Sequence, residues 1–216
     1  MDLQAQRTAM VDSQVRVNDV TDRRLISAMG QVAREAFMPT GKEAMAYADM
    51  AVETSPGRWM LAARDFSKLV QIAAVLDTDK VLDIAPGAGY STAVLSQCAA
   101  SVVALEADEA AASTLRANLA KAGVANVEVV SGTLKAGAAG KGPFDVIIVN
   151  GAVEEIPKAW LDQLAEGGRL VAPVAEGGVR RARIYTRSGD KTAWRTPFDC
   201  QAPPLPGFER AAEFRL

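Results

Sequence analysis

The sequence predicts an α/β fold, with a doubly wound, mostly parallel sheet, antiparallel edge strands near the C-terminus and an N-terminal helical extension. Short apolar runs alternate with helical patterns from residue 80 onward, and this alternation requires right-handed crossovers with helices on both faces of the sheet. A glycine-rich turn follows the first apolar run. Residues 180–187 and 191–195 flank Ser188-Gly-Asp190, which is typical of an antiparallel hairpin.

The N-terminal part of the chain is expected to be mainly helical. Residues 1–35 have an amphipathic pattern, and Thr21 or Asp22 can cap a helix there. Residues 36–60 contain several prolines and glycines and are expected to be irregular. Residues 61–76 return to the helical spacing of apolar side chains, which predicts another helix.

The remainder alternates between strands and helices. Strands are predicted at 80–84, 101–105, 126–130, 144–149 and 169–173, helices at 90–98, 108–122 and 157–165, a loop at 131–143, a hairpin at 180–187 and 191–195, and an extended tail through 203–207. This layout is Rossmann-like. We therefore divide the chain into an extension over residues 1–76 and a core over residues 77–216, packed together as one compact unit.

Composition excludes several classes of protein. The chain has 216 residues, of which 49% are apolar, but no apolar run approaches the ~20 residues that span a bilayer. Its start has no apolar signal region, so we expect a soluble, cytoplasmic protein without a membrane partner. A net charge of −2 disfavours a nucleic-acid partner. Cys98 and Cys200 are too far apart for a Cys-x-x-Cys site and are expected to be buried free thiols.

The chain contains no histidine. This removes the Ser-His and Cys-His triads and the usual zinc sets, and we expect no metal. It also removes the commonest general base. Any chemistry must therefore need little proton transfer, or must use carboxylates, lysine or tyrosine.

The turn after the first predicted strand is the most informative segment. Gly87 and Gly89 let the backbone approach a ligand closely. The second predicted strand ends in Glu106, and a glycine turn followed by such an acid is the layout of a ribose-holding nucleotide site. Because the carboxyl ends of parallel strands meet at one edge of a sheet, other polar and small residues are expected there, namely 83–90, 131–134 and 150–152.

The spacing of this turn favours a cofactor without phosphate. Ala85-x-Gly87-x-Gly89 lacks the two-residue step of the dinucleotide fingerprint, and the chain has no Walker-type Gly-Lys-Ser/Thr. S-adenosylmethionine fits, since its amino-acid tail can lie across the turn and Glu106 can accept both ribose hydroxyl protons. The alternative interpretations are a tight turn without a ligand and a solvated acid at a helix entry.

Several segments resemble the protein-L-isoaspartate O-methyltransferase family along nearly the whole chain. They are Phe37-Met-Pro39, Ala46-Tyr-Ala-Asp49, Asp83-Ile-Ala-Pro-Gly-Ala-Gly-Tyr90, Phe144 through Pro157, and Leu164-Ala-Glu-Gly-Gly-Arg-Leu-Val-Ala-Pro173. The family uses S-adenosylmethionine to methylate the carboxylate of isoaspartyl residues in damaged proteins. The resemblance therefore implies a methyltransferase of protein repair, with a protein or peptide substrate that carries a carboxylate acceptor.

The resemblance also assigns site residues. The implied cofactor contacts are Asp83, Ala85 (where the family usually carries glycine), Gly87, Gly89, Tyr90, Glu106 and Asn150, with Gly132 lining the adenine pocket and Thr133 standing where the family usually has an acid. That acid is directed at the adenine amino group, and a threonine makes a weaker hydrogen bond there.

The substrate loop departs from the family pattern. The family carries Gly-Gln-Thr-Ile-Ser, whereas this chain carries Gly57-Arg-Trp-Met-Leu-Ala62, so the serine falls on Leu61 or Ala62 and Ser55 lies out of register. Arg58 can clamp an acceptor carboxylate, and Trp59 can wall the acceptor pocket. The competing interpretations are a solvated loop arginine and a core tryptophan.

A carboxylate acceptor is already ionised at neutral pH and needs no base, which agrees with the absence of histidine. Two alternatives stay open. One is a methyltransferase with a changed acceptor, either a small carboxylate or another peptide. The other is a cofactor-binding protein without turnover.

Overall fold

A computed structural model describes residues 2–210, which form a seven-stranded sheet, a separate two-stranded hairpin and a helical extension. The helices are α1 (Leu3–Met10), α2 (Arg23–Gln31), α3 (Ala63–Ala73), α4 (Tyr90–Ser96), α5 (Glu109–Lys121) and α6 (Lys158–Asp162). The strands are β1 (Val52–Ser55), β2 (Arg58–Met60), β3 (Lys80–Ile84), β4 (Ser101–Glu106), β5 (Val127–Ser131), β6 (Phe144–Val149), β7 (Leu164–Glu176), β8 (Val179–Ser188) and β9 (Lys191–Asp199).

The strands of the large sheet run in the order β5-β4-β3-β6-β7-β8-β9. The five from β5 to β7 pair in parallel, and β8 and β9 add antiparallel strands at one edge. This confirms the predicted doubly wound, mostly parallel α/β sheet. The chain leaves β3 toward β4 and β5 and then returns to β6 on the other side, so the order reverses between β3 and β6. Ligands of such sheets bind beside that reversal, at the carboxyl ends of the strands.

The central strands are buried on both faces. Val81 and Leu82 are neighbours in β3 and both are fully buried, because successive side chains of a strand point to opposite faces. Val81 packs in the core that contains α2 to α5, whereas Leu82 packs in the core that contains Trp160 of α6. A strand covered on both sides has no polar face, which explains the near-continuous apolar runs in the sequence.

The helix predicted at 157–165 is wrong in its extent. Helix α6 ends at Asp162, and β7 already begins at Leu164. Leu164 pairs with Phe144, and the register then shifts between Phe144 and Val146. Gly167 lies within β7 with φ +71°, where glycine permits the irregular backbone of a bulge.

The prediction that residues 36–60 are irregular is also wrong in part, because β1 and β2 form an antiparallel hairpin. The backbone N–H of Gly57 donates to Glu53 Oε1 at 2.9 Å, and the Thr54 hydroxyl donates to the carbonyl oxygen of Arg58 at 3.3 Å. Gly57 has φ +68° at the tip. We call residues 52–60 the substrate hairpin.

The extension packs directly on the sheet. Helix α3 lies against β7 and β8 and buries Phe66 and Leu69 in the same core as Val81. The side chain of Arg169 in β7 donates to the carbonyl oxygens of Ala73 at 2.9 Å and Ala74 at 2.7 Å, which ties the end of α3 to the sheet.

Within residues 2–210, none of the helices has the length and apolar character needed to cross a bilayer. Cys98 and Cys200 are both buried and free, as predicted. Burial raises the pKa of each thiol to about 11.

Candidate active site

The turn between β3 and α4 has a backbone that only small residues adopt easily. Ala85, Gly87 and Gly89 all have positive φ, at +57°, +60° and +106°. A Cβ on Gly89 would lie 2.6 Å from Cδ1 of Leu115, so α5 packs closely against the turn. Ala85 is fully buried and holds the left-handed conformation without the freedom of a glycine, at a cost of about 1 kcal/mol.

The carboxylate of Asp83 holds this turn in place through hydrogen bonds. This carboxylate is fully buried and accepts hydrogen bonds from the hydroxyls of Ser91 at 2.8 Å and Thr92 at 2.7 Å and from the amide of Asn150 at 2.6 Å. Burial raises the pKa of Asp83 to about 6, and these three hydrogen bonds oppose the rise. The network joins β3, α4 and the end of β6.

Glu106 lies at the carboxyl end of β4 and is fully buried. Its Oε1 accepts the backbone N–H of Gly87 at 2.8 Å, which fixes the carboxylate directly beside the glycine turn. Its Oε2 accepts the backbone N–H of Ala107 at 3.2 Å and Nε–H of Arg58 at 2.9 Å. The predicted convergence of the turn and Glu106 is therefore present, and Arg58 joins it.

The substrate hairpin lies over the turn. A Cβ on Gly87 would be 3.1 Å from both Cβ of Arg58 and the hydroxyl oxygen of Thr54. At the tip, a Cβ on Gly57 would be 2.7 Å from Cγ of Pro206. The hairpin therefore sits between the glycine turn and the C-terminal segment.

A cavity of about 560 Å³ opens beside Glu106 and extends toward α5. Its lining includes Phe37, Pro39, Arg58, Gly87, Glu106 and Asp108. The volume falls in the ordinary range of small-molecule sites, about 300–1,000 Å³. A second space, between the turn and the substrate hairpin, has only about 10 Å³, and Trp59, Leu61, Tyr90 and Asn150 are among its lining residues.

The remaining predicted residues occupy different surroundings. Gly132 follows β5 and donates its N–H to the carbonyl oxygen of Glu106 at 2.9 Å, which places it beside the same strand end. Thr133 is exposed and precedes a 3-10 turn over Leu134–Ala136. The Tyr90 ring is buried, with centroids 6.1 Å from Phe37 and 5.8 Å from Phe66.

Arg34 is a buried residue that sequence reasoning missed. Only 1% of it is exposed, and it donates from Nε to the carbonyl oxygen of Ala46 at 2.6 Å and from Nη2 to that of Leu61 at 2.5 Å. Its guanidinium lies 4.7 Å from the centroid of the Tyr90 ring, and burial lowers its pKa. Leu61, one of the two positions on which the family serine can fall, is thus held by its backbone in a buried position. A single arginine in an amphipathic stretch carries no signal for such a role.

This edge of the sheet fits an adenosyl cofactor. Glu106 presents acceptor oxygens that match the hydroxyl donors of a sugar, and Gly87 and Gly89 bring the backbone close to a ligand. Among residues 2–210, His, Cys, Asp and Glu form no cluster of three or more that could hold a metal.

The sequence profile of the family described as Protein-L-isoaspartate(D-aspartate) O-methyltransferase matches residues 5–201. The chain belongs to this family. The resemblance found in its motifs is thereby confirmed.

Members of the protein-L-isoaspartate O-methyltransferase family match most of the chain. The enzyme named protein-L-isoaspartate O-methyltransferase from Methanoculleus marisnigri is 37% identical over 169 residues, which cover 78% of this chain and 77% of the relative. The one from Koribacter versatilis is 32% identical over 201 residues, covering 93% of this chain and 90% of the relative.

Two solved structures of the family share the fold. One, named protein-L-isoaspartate O-methyltransferase, matches with a TM-score of 0.81 and 22% identity over 93% of this chain, which spans 66% of that longer chain. The other, from Plasmodium falciparum, is described as a protein-L-isoaspartate O-methyltransferase in complex with S-adenosyl-L-homocysteine. It has a TM-score of 0.77 and 19% identity over 92% of this chain and 97% of its own.

Proposed function

We propose that this chain is an S-adenosylmethionine-dependent O-methyltransferase that methylates the carboxylate of isoaspartyl residues in damaged protein. The observation that carries the proposal is the Glu106 carboxylate, buried at the end of β4 and held by the backbone of Gly87 at 2.8 Å. It stands at the reversal of the sheet in a chain whose family match extends over residues 5–201.

The cofactor seat consists of residues at the carboxyl ends of four strands, β3, β4, β5 and β6. Glu106 receives the ribose hydroxyls, and the turn from Ala85 to Gly89 supports the amino-acid tail. Asp83 and Asn150 hold that turn in shape through their 2.6 Å hydrogen bond. Gly132 and Thr133 border the adenine side, and Tyr90 supports the first turn of α4.

Methyl transfer needs no base from this chain. S-adenosylmethionine supplies a methyl group on a sulfonium, and the acceptor carboxylate oxygen bonds to the methyl carbon as the carbon–sulfur bond breaks and its electron pair goes to sulfur. A carboxylate is already ionised near pH 7. The task of Arg58 and Trp59 is therefore to orient the acceptor. Correct orientation by itself lowers the activation free energy by roughly 7–11 kcal/mol when the reacting atoms are held close to the geometry of attack.

We also infer a cytoplasmic location and a protein or peptide substrate. Two buried cysteines that remain free are ordinary in a reducing compartment, where structural disulfides are rare.

A second candidate is a methyltransferase of the same cofactor with a changed acceptor. The buried Leu61 and the half-buried Ala62 favour it, because neither offers the hydroxyl that the family places in the substrate loop.

Two measurements test these proposals together. Titration calorimetry with S-adenosylhomocysteine should show one binding site per chain. A radiolabelled methyl-transfer assay should then label an isoaspartyl peptide and leave the matched aspartyl peptide unlabelled. Binding without labelling of the isoaspartyl peptide would support the changed acceptor, and no binding would overturn both candidates.

A further inference from the structure

We propose that Arg58 serves two carboxylates in turn: it pairs with Glu106 in the free protein, leaves when the cofactor binds, and then holds the acceptor carboxylate. The cofactor would therefore bind first and the acceptor second. This inference rests on the proposed function and adds an order of binding and a residue that links the two sites.

Arg58 is hydrogen-bonded to the carboxylate of Glu106 that would bind the ribose of the cofactor. Nε of Arg58 lies 2.9 Å from Oε2 of Glu106, and the two side chains are 12% and 0% exposed. Each carboxylate oxygen of Glu106 accepts one backbone N–H, Oε1 from Gly87 at 2.8 Å and Oε2 from Ala107 at 3.2 Å, so Arg58 takes acceptor capacity of Oε2 that a ribose hydroxyl would use. A ribose hydroxyl and the guanidinium therefore compete for the same acceptor.

The substrate hairpin closes the site together with its arginine. Cβ of Arg58 and the hydroxyl of Thr54 lie 3.1 Å from the Cβ position of Gly87, which leaves no room there for an amino-acid tail. The remaining space between turn and hairpin, about 10 Å³, is enough for roughly one water molecule. Cofactor binding therefore requires the hairpin to move outward.

The hairpin is built to move as a unit. Its strands have 4 and 3 residues and pair with each other, apart from the seven-stranded sheet. A two-stranded hairpin of this size is marginally stable by itself, so its position depends on the contacts it makes with the body of the protein. Among the described residues, the ion pair that joins the hairpin to the body of the protein is the one between Arg58 and Glu106.

Release leaves a guanidinium that needs a new anion. Within residues 2–210, the other hydrogen bond of the Arg58 guanidinium goes to its own neighbour, the carbonyl oxygen of Gly57, at 3.1 Å. A half-buried cation without a partner is unfavourable, and a carboxylate is an anion that a guanidinium binds with strong, charged hydrogen bonds. An acceptor carboxylate has the same chemistry as the Glu106 side chain, so the arginine exchanges one carboxylate for the other.

The test uses Arg58→Ala, with Arg58→Lys as the conservative variant and Arg16→Ala as the control. Arg16 pairs with Asp12, its side chain is 56% exposed, and it is not among the residues that line the cavity beside Glu106. Arg58→Ala should bind S-adenosylhomocysteine about tenfold more tightly, because the closed state no longer competes. Its KM for the isoaspartyl peptide should rise about tenfold or more, since a charged hydrogen bond is lost. Arg58→Lys should recover part of the KM, and Arg16→Ala should change neither value.

Opposite shifts in the two affinities distinguish this role from a structural one, because a damaged hairpin would weaken the binding of both ligands.

Hydrogen exchange provides a readout without turnover: in the ligand-free protein, the amides of residues 52–60 should exchange faster in Arg58→Ala than in the wild type. In the wild type, adding S-adenosylhomocysteine should speed the same amides.

Each outcome decides the matter. If the wild type binds the cofactor product and Arg58→Ala binds it equally or more weakly, the exchange is overturned while the proposed function stands. If Arg58→Ala binds the cofactor product more tightly but its KM for the peptide is unchanged, the competition with the cofactor stands and only the role of Arg58 in holding the acceptor is overturned. If neither protein binds the cofactor product, the proposed function fails and the exchange fails with it.

Discussion

Asp83 is the residue whose ionisation the fold perturbs most clearly in the site. Its carboxyl is fully buried, and burial raises its pKa from the ordinary 3.8 to about 6 despite three hydrogen bonds. The charge is retained near neutral pH only because Ser91, Thr92 and Asn150 all donate to it. The site is thus assembled around an ionised carboxylate whose burial lowers the free energy of unfolding.

This cost predicts a pH-dependent stability. The folded state binds the Asp83 proton more tightly than the unfolded state, so the free energy of unfolding should fall as pH rises from about 4 to about 6 and then level off. The loss amounts to as much as about 3 kcal/mol for a two-unit shift. Denaturant unfolding of wild type and Asp83→Asn across pH 4 to 7 measures it.

Asparagine can keep most of the hydrogen bonds but cannot ionise, so the variant should lack this contribution. The stability of the wild type minus that of Asp83→Asn should therefore decrease over the interval. A difference that stays constant from pH 4 to 7 would show that Asp83 does not titrate as described.

At the scale of elements, the glycine turn fixes the distance between β3, α4 and α5. Gly89 combines φ +106° with a Cβ position only 2.6 Å from Leu115 of α5. Gly89→Ala should therefore reduce the free energy of unfolding by about 3 kcal/mol, from backbone strain and from displacement of α5. It should also weaken binding of S-adenosylhomocysteine, because the turn would shift away from Glu106.

Gly177 provides the matched control for that substitution. It has φ +59° in the turn between β7 and β8, and its Cβ position has no atom within 4 Å. Gly177→Ala should cost about 1 kcal/mol from the left-handed backbone alone and leave cofactor binding unchanged. Equal destabilisation by the two alanines would show that close packing against α5 plays no part.

At the scale of the whole molecule, we propose that the extension over residues 1–76 and the core over residues 77–216 unfold as one unit. Helix α3 contributes Phe66 and Leu69 to the core shared with the sheet. Thermal unfolding followed by near- and far-ultraviolet circular dichroism should give a single coincident transition, and residues 77–216 alone should lack a cooperative one. Two separate transitions would contradict the proposal.

The sequence predicted the parts of the molecule that depend on local patterns. The apolar runs of β3, β4 and β6 indicated buried strands of a parallel sheet, and the glycine turn with Glu106 indicated where they meet. The substrate hairpin was missed because its strands are short and largely polar. Residues around Ser55-Pro-Gly57 indicated only an interruption of secondary structure, although such a turn also suits a hairpin.

The contacts that close the site were beyond sequence reasoning. Arg58 and Glu106 are 48 positions apart, and their pairing depends on how the hairpin docks on the sheet. The same holds for Arg34, whose partners are backbone carbonyls of two separate loops, at Ala46 and Leu61. Such contacts arise from tertiary packing, and neither periodicity nor motif spacing encodes them.

Calorimetry of S-adenosylhomocysteine with wild type and Glu106→Gln measures whether Glu106 binds the sugar of an adenosyl cofactor. The glutamine is nearly isosteric, but it loses charged hydrogen bonds worth about 1.5–3 kcal/mol each. That loss exceeds the roughly tenfold gain from releasing Arg58. We predict one site per wild-type chain and at least about tenfold weaker binding to Glu106→Gln. Equal affinity of the two proteins, or no binding to the wild type, would show that Glu106 does not hold the sugar.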